Sequence, residues 1–411
     1  MLNLVKSVDL VEELKNLVKI RSEVKIEGGK IIRENYSEAA EKVAKLAGEA
    51  GLEVEILELE VKDGKVPTVI ATTDVNAPSI ALVSHYDVVP AKGPWIIDGK
   101  EMDPYDPIVM GDKVYGRGAA DDKSAIVASI AALKELRNSS AKLRYKPYVV
   151  VTGDEEIGGL GIRALLDKGH RWDRALIIDA SVEYLSVGAS GVVHGWISVK
   201  GKGGHAGYPH LAENPVEALA NLISEITTTY KPLRAKKISR LKAPPGSPLP
   251  NVWGRFNFTI TKLGPLETEK HNKIPGEALA GFDVRLLPEE RVEEALRELY
   301  SYFSSAVAKL GINAKIEIIS AQPGWYTTDE EYVKEALRAL THAYNVLNIK
   351  KEPKIAGELG GNDGTFFSIK GIPVLAYGAI RENSNIHAPG EFVRVSDIIT
   401  LKEFLKALLS S

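Results

Sequence analysis

Five short motifs carry the residues able to do chemistry. His85 in SHYDVVP ends an apolar run and has Asp87 two residues on. Residues two apart on an extended strand leave the same face, so Asp87 can accept the ring N–H of His85 and fix its tautomer; a capped histidine in a turn is the plain alternative. Asp121 and Asp122 in GRGAADDKSA stand at the entrance to a helix, where acids also serve as simple caps. Asp154, Glu155 and Glu156 follow another apolar run in VTGDEEIGG. Three adjacent acids there repel one another and lose hydration, so a positive partner is expected nearby unless the turn is solvated. Asp179 in LIIDAS and His387 in NSNIHAPGEF complete the set. Imidazole and carboxylate without sulfur suit zinc, cobalt or manganese. Two such ions sharing a carboxylate would lower the pKa of a water and polarise a carbonyl, leaving one uncoordinated acid as general base.

The elements that must position these residues have an α/β texture. Helical patterns near 8–20 and 37–51 precede the strands LEVEILELE, PTVIATT and SIALVSH. The buried-type helix SAIVASIAALKELR leads to the apolar strands KPYVVVTG and RALIIDA. Continuous apolar strands of this kind belong to a mostly parallel central sheet with helices on both faces, and such sheets put their sites at the C-terminal strand ends. From residue 191 the pattern changes to strand, helix, strand, strand, helix, strand: VVHGWISVKG, NPVEALANLISEI, VWGRFNFTITKLG, ALAGFDVRLLPE, VEEALRELYSYFSSAVAKLG and AKIEIISA. This predicts an α+β (βαββαβ) insert over 191–321 between two catalytic segments, 1–190 and 322–411.

Composition removes several classes of function. The 411 residues contain no cysteine, which excludes disulfide scaffolds, thiol nucleophiles and iron–sulfur clusters. The 52 basic and 55 acidic residues give a net charge of −3 and no broad basic surface for nucleic acid. The charged, amphipathic start MLNLVKSVDLVEELKNLVKIRSE is neither a signal peptide nor a membrane span, so a cytoplasmic protein without membrane partners is expected.

The motifs, in order, resemble those of the dinuclear zinc metallopeptidase family that contains acetylornithine deacetylase, succinyl-diaminopimelate desuccinylase, aminoacylase, carboxypeptidase G and carnosinase-type dipeptidases. The resemblance rests on SHYDVVP, GRGAADDKSA, TGDEEIGG, GGHAGYPHLAENP, HNKIPGEALAGFDVR, GGNDG and NIHAPGEF, spanning His85 to the C-terminus. It implies a zinc-peptidase-like catalytic domain binding two Zn2+ per subunit, with Co2+ or Mn2+ as possible substitutes. His85 and Asp179 would hold one ion, Glu156 and His387 the other, and Asp121 would bridge them through a cis bond to Asp122. Glu155 would be the general base and Asp87 the orienting partner of His85. The insert would act as dimerisation and lid domain of a homodimer, with His205 completing the neighbouring subunit's site as an oxyanion donor. Arg285 and Asn272 would hold the carboxylate and backbone of a small-molecule or short-peptide substrate, with Gly361 and Asn362 in a glycine-rich substrate loop. His210 reads as structural, and His170, His194, His271 and His342 receive no role.

The expected reaction is hydrolysis of an amide bond in a small N-acyl amino acid of the acetylornithine or succinyl-diaminopimelate type. Deacylases of the family usually carry Glu at the position of Asp179 and dipeptidases carry Asp, so a dipeptidase or carboxypeptidase is the alternative. GGHAGYPHLAENPVEAL and NKIPGE read closest to the desuccinylase pattern. A non-catalytic metabolite-binding dimer is the remaining reading.

Overall fold

A computed structural model describes residues 2–262 and 270–410, with side chains described from Leu10 onward. The chain divides into two compact units: Met1–Val187 with Thr327–Ala356 and Asn362–Ser411, and Gly188–Tyr326 with Gly357–Gly361. The expected insert spanned 191–321, so the return segment Gly357–Gly361 is an addition that periodicity does not signal.

The first unit is built on a mixed sheet. Its strands β1 (Glu53–Val61), β2 (Gly64–Thr72), β3 (Ser79–His85), β4 (Lys146–Thr152) and β5 (Arg174–Ile177) are joined by strand Val374–Ala376 in the order β1, β2, β4, β3, β5, Val374–Ala376. The β4–β3, β3–β5 and β5–Val374 pairings are parallel; β1–β2 and β2–β4 are antiparallel. The parallel centre is where the sequence is continuously apolar. Ile80, Ala81 and Leu82 of β3 and Val149 to Val151 of β4 have no exposed surface. The flank β1 instead alternates, EVEILELEV, and leaves most of its residues exposed. One-sided solvation of that sort is available to antiparallel strands. Helix α1 (Leu2–Val18) and α2 (Tyr36–Glu49) come first in the chain, and α3 (Ser124–Asn138) packs against the C-terminal helix Val395–Leu409. The small side chains Ala125, Ala128 and Ala132 let α3 bury nearly all round. No helix among the described residues is long and apolar enough to cross a membrane.

The second unit holds a four-stranded antiparallel sheet of β6 (Gly191–Lys200), β7 (Arg255–Lys262), β8 (Glu277–Leu286) and β9 (Asn313–Gln322), ordered β7, β8, β6, β9. Helices α5 (Pro215–Ala235) and α6 (Val292–Leu310) pack on one face, numbered after α4 (Leu160–Asp167) of the first unit. Val193, Ile197, Phe256, Phe282 and Val284 form a core there with Leu222, Ile226, Tyr230, Leu299 and Phe303. The residues between them in each strand therefore point to the opposite face. Strand β7 was expected to reach Gly264; Leu263 and Gly264 lie outside the described residues. Helix α5 runs past the expected end at Ile226 to Ala235 despite Pro232. The hydroxyls of Thr228 and Thr229 return hydrogen bonds to Ser224 O (2.9 Å) and Glu225 O (2.7 Å), which satisfies these polar groups within the helix.

Candidate metal centre

Strand ends bring the first residues together. His85 is the last residue of β3, Glu155 and Glu156 follow β4 by a short turn, and Asp179 follows β5. Because β4, β3 and β5 are parallel neighbours, these three loops emerge on the same edge of the sheet. Asp121 comes from the irregular turn Ala119–Lys123 that precedes α3, and its bond to Asp122 is cis. No side chain caps α3 at Lys123, so the capping role open to Asp121 is not taken. His387 sits in the left-handed region (φ 62°), where a residue with a side chain is uncommon, in the loop before strand Phe392–Arg394.

Asp121 stands between the two imidazoles. Its Oδ1 lies 3.0 Å from His85 Nε2 and its Oδ2 3.0 Å from His387 Nε2. His387 Nε2 is also 2.9 Å from Glu156 Oε2, and His85 Nε2 is 3.7 Å from Asp179 Oδ2. The donor atoms fall into two groups, His85 with Glu155 and Asp179, and Asp121 with Glu156 and His387, each with all its atoms within 4.8 Å of one another. Glu155, expected only as a base, thus also lies within ligating reach.

Asp87 does more than its sequence position suggested. The strand ends at His85, so Asp87 lies beyond it, and His85 Nδ1 is 3.0 Å from the Asp87 backbone oxygen as well as 3.3 Å from Oδ1. The same buried carboxylate accepts the backbone N–H of Glu155 (3.3 Å) and of Glu156 (3.2 Å), tying the β3 and β4 loops together.

The acids of this cluster are held far from their ordinary behaviour. Burial, then repulsion from Asp121, pushes Glu156 up to about 7. Burial and Asp363 raise Glu155 well above the carboxylate range, and burial and Asp121 raise Asp179. Burial alone would raise Asp121 as well, but hydrogen bonds from His387 and His85 hold it below its usual value. Burial opposes charge on His85, yet its bonds to Asp121, Asp179 and Asp87 raise it well above the normal range; bonds to Asp121 and Glu156 bring His387 to about 10. The nearest partners of Asp121, Glu156 and Asp179 in this cluster are these two imidazoles. So many carboxylates gathered around two rings fit a pair of divalent cations: the nitrogen and oxygen donor set is right, and the excess negative charge calls for positive charge.

Two buried acids of the site were missed by motif reading. Asp363, two residues after Gly361 in GGNDG, is pushed up to about 7 by burial and by the Asp179 and Asp87 charges. Glu391 of HAPGEF accepts the backbone N–H groups of Ala120 (3.0 Å) and Asp121 (3.2 Å) and pairs with Arg117 Nη1 (2.5 Å). The triplet member Asp154 points elsewhere, to Arg33 (2.5 Å) and the Tyr36 hydroxyl (3.0 Å).

The substrate-type residues lie mostly in the second unit. His205, exposed, pairs with Lys273 across a two-stranded bridge, and the Ala206 N–H bonds to Asn272 O at 2.9 Å, so His205 and Asn272 are neighbours. Arg285 is on β8, two residues from Asp283. Gly361 belongs to the return segment of the second unit; Asn362 belongs to the first, where its Oδ1 accepts the Gly364 N–H at 3.0 Å.

Comparison with known proteins gives consistent matches. Peptidase family M20/M25/M40 matches residues 81–411. A succinyl-diaminopimelate desuccinylase of Alkalilimnicola ehrlichii is 30% identical over 362 residues, covering 84% of this chain and 87% of its own. An M20 family metallo-carboxypeptidase from Sulfolobus solfataricus has the same fold (TM-score 0.78, 20% identity, 97% of this chain and 98% of that one). So has a dinuclear metal-binding M20 peptidase of Bacillus subtilis (TM-score 0.64, 17% identity, 98% and 97%).

Proposed function

The chain belongs to peptidase family M20/M25/M40 and is a hydrolase of amide bonds, and from that premise we propose that it deacylates a small N-acyl amino acid carrying a free carboxylate. The observation that carries this reading is the Asp121 carboxylate shared at 3.0 Å by His85 and by His387, with Asp179 and Glu156 beside them. His85 and Asp179 would hold one metal ion and Glu156 and His387 the other, with Asp121 placed to serve both; zinc would suit the donors, with cobalt or manganese as substitutes. Such a pair supplies Lewis acidity, lowering the pKa of a water and polarising the scissile carbonyl.

The protein's own groups do the rest. Asp87 orients His85 and, through the Glu155 N–H, sets the base loop. Glu155, whose proton affinity is raised by burial and by Asp363, takes a proton from the attacking water and returns it to the leaving amine. His205 of the neighbouring subunit donates to the developing oxyanion, in a homodimer assembled through the second unit. Arg285 holds the substrate carboxylate, and Asn272 with the loop of Gly361 and Asn362 holds its backbone.

The desuccinylase relative and the motifs around His205 favour the acetylornithine or succinyl-diaminopimelate type of substrate. Asp179, in place of Glu, favours a dipeptidase or carboxypeptidase as the second reading. A hydrolysis panel after chelation and reloading with zinc or cobalt separates them: N-acetylornithine, N-succinyl-diaminopimelate, other N-acyl amino acids and plain dipeptides. Turnover of the acyl amino acids supports deacylation. Turnover confined to substrates with a free α-amine selects the peptidase reading, and no turnover of any of them removes both in favour of a binding dimer.

A further inference from the structure

On the sheet face of the second unit opposite its helices, four polar residues occupy neighbouring positions on three strands. His194 on β6 faces Asp283 on β8, and Arg285 on β8 faces Arg255 on β7. Asp283 and Arg285 are two apart on one strand and so share that face. Asp283 Oδ1 accepts from Arg285 Nε at 3.0 Å and Oδ2 lies 3.0 Å from Arg285 Nη2, a two-point fork between carboxylate and guanidinium. Asp283 Oδ2 is also 3.0 Å from His194 Nε2, and the Ser320 hydroxyl is 3.3 Å from His194 Nδ1. One edge of Arg285 is therefore engaged inside the protein, and its Nη1 makes no hydrogen bond among the described residues.

Arg255 explains why Arg285 needs this hold. Arg255 is fixed by Trp253 O (3.1 Å), Ser190 Oγ (3.2 Å) and Leu359 O. Burial, then the neighbouring Arg285 charge, pushes it down to about 10. Two guanidinium groups thus face each other across adjacent strands with one carboxylate between them and the histidine. Without Asp283 the like charges repel and the Arg285 guanidinium has no hydrogen-bond partner among the described residues. With it, the Arg285 guanidinium is held in one orientation by two contacts to the same carboxylate.

Resting on the proposed role of Arg285, we infer that Asp283, held in turn by His194, is the positioning residue that makes this enzyme select substrates for a free carboxylate. A positioning role acts on binding of that one group and leaves the chemical step alone.

The test uses the metal-loaded full chain and two probe pairs, N-acetyl-L-methionine with its carboxamide and Gly-Leu with Gly-Leu-amide. The readout is the ratio of kcat/KM for acid over amide, with kcat and KM resolved. Asp283→Asn should lower this ratio about tenfold through KM for the acid, with kcat within about twofold and the amide unaffected, as expected for weakening one charge-assisted contact. His194→Ala, at a half-exposed position, should lower it severalfold, and Asp283→Glu should recover part of it. A wild-type ratio in Asp283→Asn overturns the inference while Arg285→Ala still abolishes discrimination. If Arg285→Ala also keeps the wild-type ratio, the assignment of Arg285 to the carboxylate falls, and this inference with it.

Discussion

Glu391 accepts the backbone N–H of Asp121 at 3.2 Å although 270 positions separate the two residues. Glu391 follows His387 by four residues, so this bond pins the loop of one proposed ligand onto the turn carrying the proposed bridge. Its second oxygen is held by the buried Arg117. Residues of this supporting kind commonly contribute 10–100-fold to metal affinity. Glu391→Ala is accordingly expected to weaken zinc binding by about that factor. Competition against a chromophoric chelator measures it, and an unchanged affinity would show that the two loops hold their places without Glu391.

Glu155 lies in reach of the His85 and Asp179 donors and is also proposed as the base. Glu155→Gln distinguishes the roles because it keeps the shape and removes the basicity. The expected loss in kcat is about 10²–10⁴-fold, with two metal ions per subunit still measured by atomic spectroscopy. A drop in stoichiometry with the loss of rate would instead make Glu155 a ligand.

Much of this arrangement was legible because the parallel centre writes itself as uninterrupted apolar runs. SIALVSH, KPYVVVTG and RALIIDA each end in a polar turn, which by itself places His85, Glu155, Glu156 and Asp179 at one sheet edge. What stayed hidden depends on distant parts of the chain. Asp121 at a helix entrance looks like a cap until His387 is folded onto it. Asp363 and Glu391 carry no local signal, since their burial and partners come from loops far away in sequence. The alternation in EVEILELEV marks an exposed flank but not its antiparallel direction. His194 looked idle because its partner Asp283 lies 89 residues on.

The second unit has its own buried charge network, and this gives a stability prediction. Arg234, without exposed surface, forms two hydrogen bonds to Glu290, which also takes Lys237 at 2.8 Å. Removing one partner leaves a buried guanidinium only partly paired, by the more distant Glu298 at 3.6 Å. Glu290→Gln should therefore cost about 3 kcal/mol, near the low end for breaking a buried pair. Burial raises the Glu290 pKa, but Arg234 and Lys237 outweigh it and hold it below its ordinary 4.5. A carboxyl depressed on folding adds stability above its unfolded pKa and loses it as pH falls through the folded value. The wild type should lose this increment only below about pH 4.5, and Glu290→Gln should lack that part of the acid dependence. Denaturant midpoints of both proteins across that range test the sign.

Metal removal should be felt in stability as well as in rate. In the proposed site, Asp121, Glu155, Glu156 and Asp179 crowd around two imidazoles, and burial with mutual repulsion raises three of the four acids. Divalent ions bound there relieve that repulsion in the folded state alone, so binding adds directly to folding free energy. At free metal about 1,000 times Kd the increment is about 4 kcal/mol. A reversible rise in Tm on titrating zinc or cobalt into chelated protein is expected, reduced in His387→Ala because the Asp121 and Glu156 group loses its nitrogen donor. A Tm that does not respond to zinc, cobalt or manganese would mean that these donors do not form a metal site, and the hydrolytic reading built on Asp121 would go with it.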